Sequence, residues 1–335
     1  MSIHELIPFY SNTIPVVFTT DNNYVPYMSV TIQSIIENSS SDRKYAFFVL
    51  HREVTEASKN ILINQIEHYK QFTIEFIDVS FNIAKYDLYI SRHITIETYF
   101  RFFIPEMFIK YAKVIYLDCD IVVCTDIAEL YDIDIENYVL GAMRDIDTVN
   151  YFYGAKKDKK LGGNRNSLTK LSNPSNYFCA GICIFNIHLF SKNISTNDLF
   201  ELAMSNKWDY HDQDVLNILT EGKTLLLSFN WGFYNTRRIK YLPEDLKNEY
   251  FNAREYPKIV HFTQKPWKKE IYNLHFDLFW KYATRTPFIS IILDRMDIPK
   301  EPTSLPQLVI SKIAHRKGLN LKFILRCLAA WLLKR

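Results

Sequence analysis

The 335-residue sequence has few of the residues that mark several classes of protein. Glycine occurs only eight times, and a chain with 48% hydrophobic and 15% aromatic residues is neither collagen-like nor disordered. Five cysteines in a chain this long do not suggest a disulfide framework, and their spacing does not suggest a shared zinc site. We therefore expect reduced thiols in the cytosol and a sizeable core in one large or two smaller domains.

Export and membrane-crossing segments are also lacking. No run of about 18 apolar residues could form a spanning helix. The first ten residues, M-S-I-H-E-L-I-P-F-Y, carry an early acid and no basic region ahead of a long apolar run, so we expect no signal peptide. These absences predict a cytoplasmic protein.

Acidic residues are absent after Glu301. Residues 303–335 carry a formal charge of +7, whereas residues 1–302 carry −4. From Leu319 onward the apolar residues fall on one helical stripe with basic borders, which is typical of a helix in an anionic membrane interface. The alternative is a C-terminal helix packed on the domain. We favour peripheral attachment to the cytoplasmic face of the inner membrane, and we expect no nucleic-acid partner because no basic groove is evident.

Strand-like and helix-like segments alternate along the first 80 residues. Residues 14–20, 44–50 and 72–79 have strand character, and apolar residues recur at helical spacing within 25–35 and 54–69. This alternation predicts an α/β fold with a doubly wound, mainly parallel sheet. Ligands of such sheets bind at the carboxyl ends of the strands.

A carboxylate pair follows the next predicted strand, in K-V-I-Y-L-D-C-D-I-V-V-C-T-D. In an extended segment Asp118 and Asp120 lie on one face while Cys119 points the other way. Paired carboxylates suit Mg²⁺ or Mn²⁺, which are usually shared with substrate phosphates. The alternative is a surface turn, because D-x-D is a frequent tripeptide. Asp21 ends the strand at 14–20, so one shared site at this sheet edge is consistent with the pattern.

Arg101 is a single cation inside the apolar segment 94–110, which we predict to be helical and broken near Pro105. Burying an unpaired guanidinium is costly, so Arg101 must reach water or meet an anion. The anion is either a carboxylate in a structural ion pair or the diphosphate or sugar of a substrate.

The second half of the chain adds polar residues near strand and helix ends. A strand at 138–145 ends in Asp145, and the polar stretch 152–176 predicts a mobile loop over the site. The small pair Ala180-Gly181 permits close approach of the backbone.

Three polar residues, Asp212, Gln213 and Asp214, lie in the first turn of a predicted helix. Acids at this position also stabilise the helix dipole, which is the alternative to a functional role. His261 ends a short strand, and Lys265 follows shortly after. A single histidine is more often packed in a core than bound to a metal, so only the carboxylate pair suggests a metal role for His261.

Seven motifs in this order resemble glycosyltransferase family 8, and above all its bacterial lipooligosaccharide and capsule sugar transferases. The resemblance spans residues 14–272 and is carried by V-F-T-T-D-N-N-Y, R-H-I-T-I-E-T-Y-F-R, V-I-Y-L-D-C-D-I-V-V, G-A-M-R-D, C-A-G-I-C-I-F-N, D-Q-D-V-L-N and V-H-F-T-Q-K-P-W. It implies a GT-A catalytic domain over 1–300, with a Rossmann-like nucleotide half (about 14–125) and an acceptor half (about 126–275), and a C-terminal helical extension. It also implies retaining transfer of galactose or glucose from a UDP-sugar to an oligosaccharide or lipid-linked glycan.

The resemblance also implies roles for individual residues. Asp118, Asp120 and His261 would hold Mn²⁺, with Mg²⁺ as an alternative. The UDP-sugar would contact Thr19, Asp21, Asn23, Arg101, Asp118, Cys179, Ala180, Gly181 and Lys265. The catalytic group would be Gln213, near the anomeric carbon, with Asp212, Arg101 and Asp145. Two features depart from the family pattern: Cys179 replaces the usual Asn, and the short segment from His261 to Lys265 lacks the usual Gly.

Two other interpretations stay open at this point. The stretch V-I-Y-L-D-C-D-I-V-V also resembles the aspartyl-phosphate motif of haloacid-dehalogenase phosphatases, although that motif belongs on the first strand and three predicted strands precede Asp118. An inactive sugar-binding or membrane-binding module is the second, and Cys179 is the feature that favours it. The donor sugar and the oligomeric state are not determined by these patterns.

Overall fold

The computed structural model describes residues 5–6, 12–91, 94–157, 167–268 and 274–296. The basic tail at 301–335 lies outside these residues, so its predicted helix remains a prediction. Within the described ranges, no helix is both long and apolar enough to cross a membrane.

A seven-stranded mixed sheet forms the centre, in the order β3-β2-β1-β4-β7-β6-β8. Only β7 runs antiparallel to its neighbours, and β5 pairs with β9 in a separate two-stranded sheet. The predicted α/β class with a mainly parallel sheet is therefore confirmed. The strands are β1 (Thr13–Thr20), β2 (Lys44–His51), β3 (Phe72–Asp78), β4 (Lys113–Leu117), β5 (Ile121–Val123), β6 (Leu140–Arg144), β7 (Phe178–Asn186), β8 (Thr224–Leu227) and β9 (Ile259–His261).

Helices cover both faces of the sheet. A 3₁₀ helix at Ile96–Phe103 leads directly into α4, and shorter 3₁₀ turns occur elsewhere. The α-helices are α1 (Val25–Asn38), α2 (Glu56–Ile66), α3 (Ser80–Ile83), α4 (Ile104–Met107), α5 (Ala128–Tyr131), α6 (Ile146–Lys157), α7 (Ile187–Asn193), α8 (Thr196–Met204), α9 (His211–Leu219), α10 (Glu244–Glu255), α11 (Phe276–Ala283) and α12 (Ile289–Arg295).

The two faces of the sheet carry separate apolar clusters. On β1, Val17 joins the cluster that contains Phe102 of the 3₁₀ helix and Phe200 of α8. Its neighbour Phe18 joins the cluster that contains Ile32 of α1 and Leu62 of α2. Every residue of β1 is buried, because helices cover a mainly parallel sheet on both sides.

Helix α1 also holds the chain that follows the carboxylate pair. The fully buried Thr31 hydroxyl donates to the carbonyl of Ile121, at 2.7 Å. The equally buried Ser34 hydroxyl accepts from the amide of Val123, at 2.9 Å. These two side chains hydrogen-bond backbone groups of β5 that would otherwise be buried without a partner. Helix α1 therefore fixes the position of the segment that begins at Asp118.

The structure contradicts the predicted loop over part of its length, because residues 152–157 belong to α6. That helix starts directly after β6, where Asp145 Oδ1 accepts from the amide of Thr148 at 2.7 Å, as an N-terminal capping side chain does. Residues 158–166 lie outside the described ranges, and residues 167–176 form turns with two short 3₁₀ helices.

The predicted helical segment does change near Pro105, because a 3₁₀ helix ends at Phe103 and α4 begins at Ile104. Pro105 lies in the first turn of α4, where a missing N–H costs nothing and the fixed φ suits a helix. The segment before it is helical as predicted, in the form of a 3₁₀ helix.

Candidate active site

Three candidate metal ligands meet at the carboxyl edge of the sheet. Asp118 follows β4, and the antiparallel pairing of β5 with β9 sets His261 opposite Ile121, next to Asp120. His261 Nε2 lies 3.1 Å from Asp120 Oδ1 and 3.6 Å from Asp118 Oδ2. The possible ligand atoms of all three residues lie within 4.8 Å of one another. The structure therefore brings together the three residues that the resemblance implies as ligands.

The residues around this cluster fit a divalent cation. Asp120 Oδ1 is buried and faces His261 Nε2, 3.1 Å away, without a well-aligned hydrogen bond within the described part of the chain. Gly181 lies against the cluster, where a Cβ would come within 2.6 Å of both Asp118 Oδ2 and His261 Cε1. Two carboxylates and an imidazole nitrogen are donors that Mn²⁺ accepts, and oxygen donors also suit Mg²⁺.

Positive charge keeps the Asp120 carboxylate ionised. Burial alone would raise its pKa, but the Lys265 ammonium, which contacts Oδ2, and the His261 ring hold the pKa well below its usual range. Burial would likewise lower the pKa of His261, but Asp120 raises it well above the usual value. An ionised carboxylate is the form that binds a metal.

Arg101 is buried and joins the cluster to α9. Its Nε lies 2.9 Å from Asp212 Oδ2, its Nη2 lies 3.1 Å from Asp118 Oδ1, and its Nη1 donates to the carbonyl of Ala180. The structure thus shows the structural ion pair, the first of the two partners considered for Arg101. Asp118 and Asp212 hold fixed positions relative to each other through this one guanidinium.

Thr98 is a site residue that the sequence interpretation missed. Its hydroxyl donates to Asp212 Oδ1, and its carbonyl accepts from Arg101 Nε at 3.0 Å. Side chains three residues apart lie on one face of a 3₁₀ helix, so Thr98 and Arg101 both reach Asp212. Burial raises the pKa of Asp212 to about 6, although Arg101 and Thr98 both act to lower it. The spacing of three residues within the predicted helix was an available signal for the proximity of Thr98 and Arg101, but their shared contact with Asp212 depends on the packing of α9.

Tyr116 is a second missed residue. Its hydroxyl donates to Asp118 Oδ1 at 2.8 Å and lies 3.0 Å from the hydroxyl of Thr19 on β1. The Arg101 guanidinium lies over its ring, 4.1 Å from the centroid. Tyr116 and Asp118 share one face of the strand, so the period of two along β4 was the available signal.

A cavity of about 300 Å³ opens over the cluster. Its walls include Thr19, Asp21, Arg101 and Lys265 together with the three candidate metal ligands. Asn23 is exposed beside it, and its amide donates to Asp21 Oδ2 at 3.3 Å.

The remaining predicted residues lie on β7, α9 and at the end of β6. Cys179 Sγ lies 3.9 Å from His261 Nδ1, and Gln213 Oε1 accepts from the amide of Ala180 at 2.9 Å. At the start of α9, Asp214 Oδ2 accepts from the amide of Tyr210 at 2.8 Å. Asp145 reaches the same sheet edge, where its Oδ1 caps α6.

The family model for glycosyl transferase family 8 matches residues 15–270. The chain belongs to glycosyl transferase family 8. A Haemophilus influenzae protein that is provisionally named a glycosyltransferase is 32% identical to this family 8 chain over 237 residues, 68% of this chain and 66% of the relative. The lipopolysaccharide 1,2-glucosyltransferase of Escherichia coli is 24% identical over 179 residues, 51% of this chain and 49% of the relative.

Solved structures confirm the GT-A fold. The bifunctional glycosyltransferase WbbM superposes with a TM-score of 0.75 and 27% identity, over 87% of this chain and 53% of WbbM. The galactosyltransferase LgtC, solved with donor and acceptor sugar analogues, superposes with a TM-score of 0.64 and 22% identity, over 82% of this chain and 96% of LgtC. This chain thus spans about half of WbbM and about two thirds of the Haemophilus relative.

The phosphatase interpretation does not hold. Asp118 follows the fourth strand along the chain, whereas an aspartyl-phosphate motif belongs on the first. Family 8 membership supports a glycosyltransferase, and the cluster of Asp118, Asp120 and His261 is a candidate divalent-metal site.

Proposed function

We propose that this family 8 protein is a retaining, metal-dependent hexosyltransferase that moves galactose or glucose from a UDP-sugar to a glycan acceptor. The observation that carries the proposal is the convergence of Asp118, Asp120 and His261 on one point at the carboxyl edge of the sheet, under a cavity of about 300 Å³. Ligands of doubly wound sheets bind at this edge.

Asp118, Asp120 and His261 would hold Mn²⁺, or alternatively Mg²⁺. When bound, the ion supplies positive charge against the diphosphate as UDP leaves the sugar. Tyr116 and Arg101 orient Asp118, and Gly181 leaves room for the His261 ring.

The cavity walls suit the two halves of a nucleotide sugar. Thr19 and Asp21 line the end near β1 and, with Asn23 at the rim, offer hydroxyl, carboxylate and amide groups to a nucleoside. Lys265 offers an ammonium to the diphosphate, provided that it leaves Asp120 when the donor binds.

The sugar would lie between β7 and α9. Cys179, Ala180 and Gly181 border this position on β7, and Asp212 and Gln213 border it on α9, with Asp145 at the neighbouring strand end. The buried Arg101 acts through Asp118 and Asp212, because its guanidinium already contacts both carboxylates.

Retention of configuration requires either an enzyme nucleophile or entry of the acceptor on the face that UDP leaves. The Gln213 carboxamide is a poor nucleophile, so we propose front-face attack. The acceptor oxygen bonds to the anomeric carbon as the bond to the UDP oxygen breaks, and a leaving phosphate oxygen takes the acceptor proton. Mass spectrometry during turnover is expected to show no glycosyl adduct on the enzyme, and such an adduct would contradict this mechanism.

The acceptor is proposed to be an oligosaccharide or lipid-linked glycan of bacterial lipooligosaccharide, capsule or another surface polysaccharide. Support comes from the E. coli relative, whose name assigns it to lipopolysaccharide. The basic stripe at 301–335 would bring the enzyme to the anionic cytoplasmic surface where such acceptors are found.

UDP release from a panel of UDP-sugars, with Mn²⁺ or with EDTA, tests the proposal. We expect release from UDP-galactose or UDP-glucose that depends on the metal and is abolished in Asp120→Asn. Asp42→Asn is the matched control, because Asp42 is exposed and precedes the amino end of β2, at the opposite edge of the sheet from the site. Equal release with EDTA would contradict metal dependence, and no release from any donor would favour the inactive binding module.

A further inference from the structure

A chain of hydrogen bonds leads from the buried Asp214 through the buried Tyr177 to the half-buried Gln213. The Tyr177 hydroxyl donates to Asp214 Oδ1 at 2.5 Å, and Gln213 Nε2 donates to the Tyr177 oxygen at 3.3 Å. Gln213 Oε1 accepts from the amide of Ala180 at 2.9 Å. Tyr177 and Asp214 are 1% and 0% exposed, so water does not compete for the bond between them, whereas Gln213 is half-buried.

The number of protons in this chain fixes its direction. A phenol has a single proton, and an ionised carboxylate can only accept, so the Tyr177 proton belongs to the bond with Asp214. The Tyr177 oxygen can therefore only accept from Gln213. This requirement turns the NH₂ end of the carboxamide toward Tyr177 and the Oε1 end toward β7.

Asn217, one turn further along α9, makes the arrangement rigid. Its Oδ1 accepts from the amide of Phe178 at 2.8 Å, and its Nδ2 donates to the carbonyls of Phe178 and Gln213, each at 2.9 Å. Helix α9 and strand β7 are thus joined beside Gln213. The same strand carries Gly181, which packs on His261, so β7 sets the position of Gln213 relative to the candidate metal site.

We propose that Tyr177 and Asp214 are positioning residues that hold the Gln213 carboxamide with its oxygen toward the donor sugar. The proposal rests on the proposed function, which places Gln213 near the anomeric carbon. The lone pair of Oε1 that Ala180 leaves unused can then face the positive charge that develops at that carbon. A carboxamide turned by 180° would present its NH₂ group, whose partial positive charge opposes that development.

The kinetic test is a double-mutant cycle on Tyr177→Phe and Gln213→Ala. We expect Tyr177→Phe to lower kcat about tenfold or more while the donor KM changes less than about twofold, because misorientation of one group affects the reacting geometry more than binding. If Tyr177 acts through Gln213, it has no further effect on kcat in the Gln213→Ala background. Tyr256→Phe, at a residue that is 75% exposed, is the matched control and should leave kcat unchanged.

A second readout does not depend on turnover. The side-chain amide protons of Gln213 are expected to exchange with water more slowly in the native protein than in Tyr177→Phe, as measured by NMR on protein labelled with ¹⁵N. Equal exchange rates in the two proteins, or effects on kcat that multiply in the double mutant, would overturn the positioning role. Full activity of Gln213→Ala, or no UDP release by the native protein, would instead contradict the proposed function, and the exchange rates alone would then decide whether Tyr177 orients Gln213.

Discussion

The backbone of Gly181 on β7 lies against the imidazole of His261 on β9. A Cβ at position 181 would come within 2.6 Å of His261 Cε1 and within 2.6 Å of Asp118 Oδ2, closer than real side chains approach. The glycine is therefore required by the space between two candidate metal ligands and not by its backbone conformation, since the residue lies within a regular strand.

We expect Gly181→Ala to weaken Mn²⁺ binding by about tenfold or more, because the added methyl must displace a ligand side chain. The overpacked site is also expected to lower the free energy of unfolding by about 1–3 kcal/mol. Isothermal titration with MnCl₂ measures the first effect, and urea unfolding measures the second. Gly222→Ala is the control: its φ of +74° makes alanine strained there, but no atom lies within 4 Å, so stability falls while Mn²⁺ affinity is kept. Unchanged Mn²⁺ affinity in Gly181→Ala would contradict the assigned site.

Cys179 is predicted to support His261 from the other side of the ring. Its sulfur lies 3.9 Å from Nδ1, whereas Nε2 faces the carboxylates. A metal-binding histidine is oriented by the group that its other ring nitrogen contacts. Cys179→Ala removes that group from His261 and should weaken Mn²⁺ binding about tenfold. The control is Cys124→Ala, because Cys124 is a half-buried cysteine that follows β5, whereas Asp120 precedes it. The affinity is measured by titration, and equal values for the two variants would contradict this role.

Thr31 is predicted to matter for stability through a single hydroxyl group. Thr31→Val keeps the shape but leaves the buried carbonyl of Ile121 without its donor, which should lower the free energy of unfolding by about 1–3 kcal/mol. Thr31→Ser keeps the hydroxyl and should lose less. Chemical unfolding of the three proteins checks the order, and a valine variant as stable as the native protein would show that this bond does not hold β5.

The burial of His51 leads us to expect that the folded protein loses stability in acid. The residue is 2% exposed, and neither ring nitrogen has a hydrogen-bond partner within the described part of the chain. Burial, and then Lys59, lower its pKa below the ordinary value of 6.5, against the opposite effect of Asp78 and Glu56. The unfolded chain therefore binds a proton at a higher pH than the folded protein does, and stability from this group falls as the pH drops below about 6.5.

His51→Phe removes this titration and keeps a ring beside Phe76, whose centroid lies 6.3 Å away. We expect the variant to gain about 1 kcal/mol near pH 7.5, because two unpaired nitrogens leave the core, and to gain more near pH 5.5. Thermal unfolding at the two pH values measures both. A gain that does not grow at the lower pH would show that His51 is not the titrating group.

The tail prediction concerns residues outside the described structure. Deleting residues 303–335 removes a charge of +7 and is expected to leave UDP release unchanged while it abolishes sedimentation with anionic lipid vesicles. Vesicles of neutral lipid are the control, and the full chain should bind them weakly. Continued sedimentation of the truncated protein with anionic vesicles would show that another surface binds the membrane.

Local patterns in the sequence were enough to predict the α/β fold class and the position of the candidate metal site. The periods of strands and helices are short, so residues 14–20, 44–50 and 72–79 could be recognised as strands without a structure. The spacing of Asp118 and Asp120 directly after a predicted strand also suggested the site, although the structure joins β4 to β5 through a bend at residues 119–120 and not through the expected extended segment. Parallel strands end at one edge of the sheet, which predicted that Asp21 would lie near that pair.

Tertiary structure alone decided which residues complete the site. His261 reaches Asp120 only because β9 pairs with β5, some 140 residues earlier in the chain. Arg101 met carboxylates and not solvent because α9 packs on a 3₁₀ helix, whose hydrogen bonding the sequence does not specify. Pairings between distant segments follow from how the whole core packs, and no window of sequence contains that information.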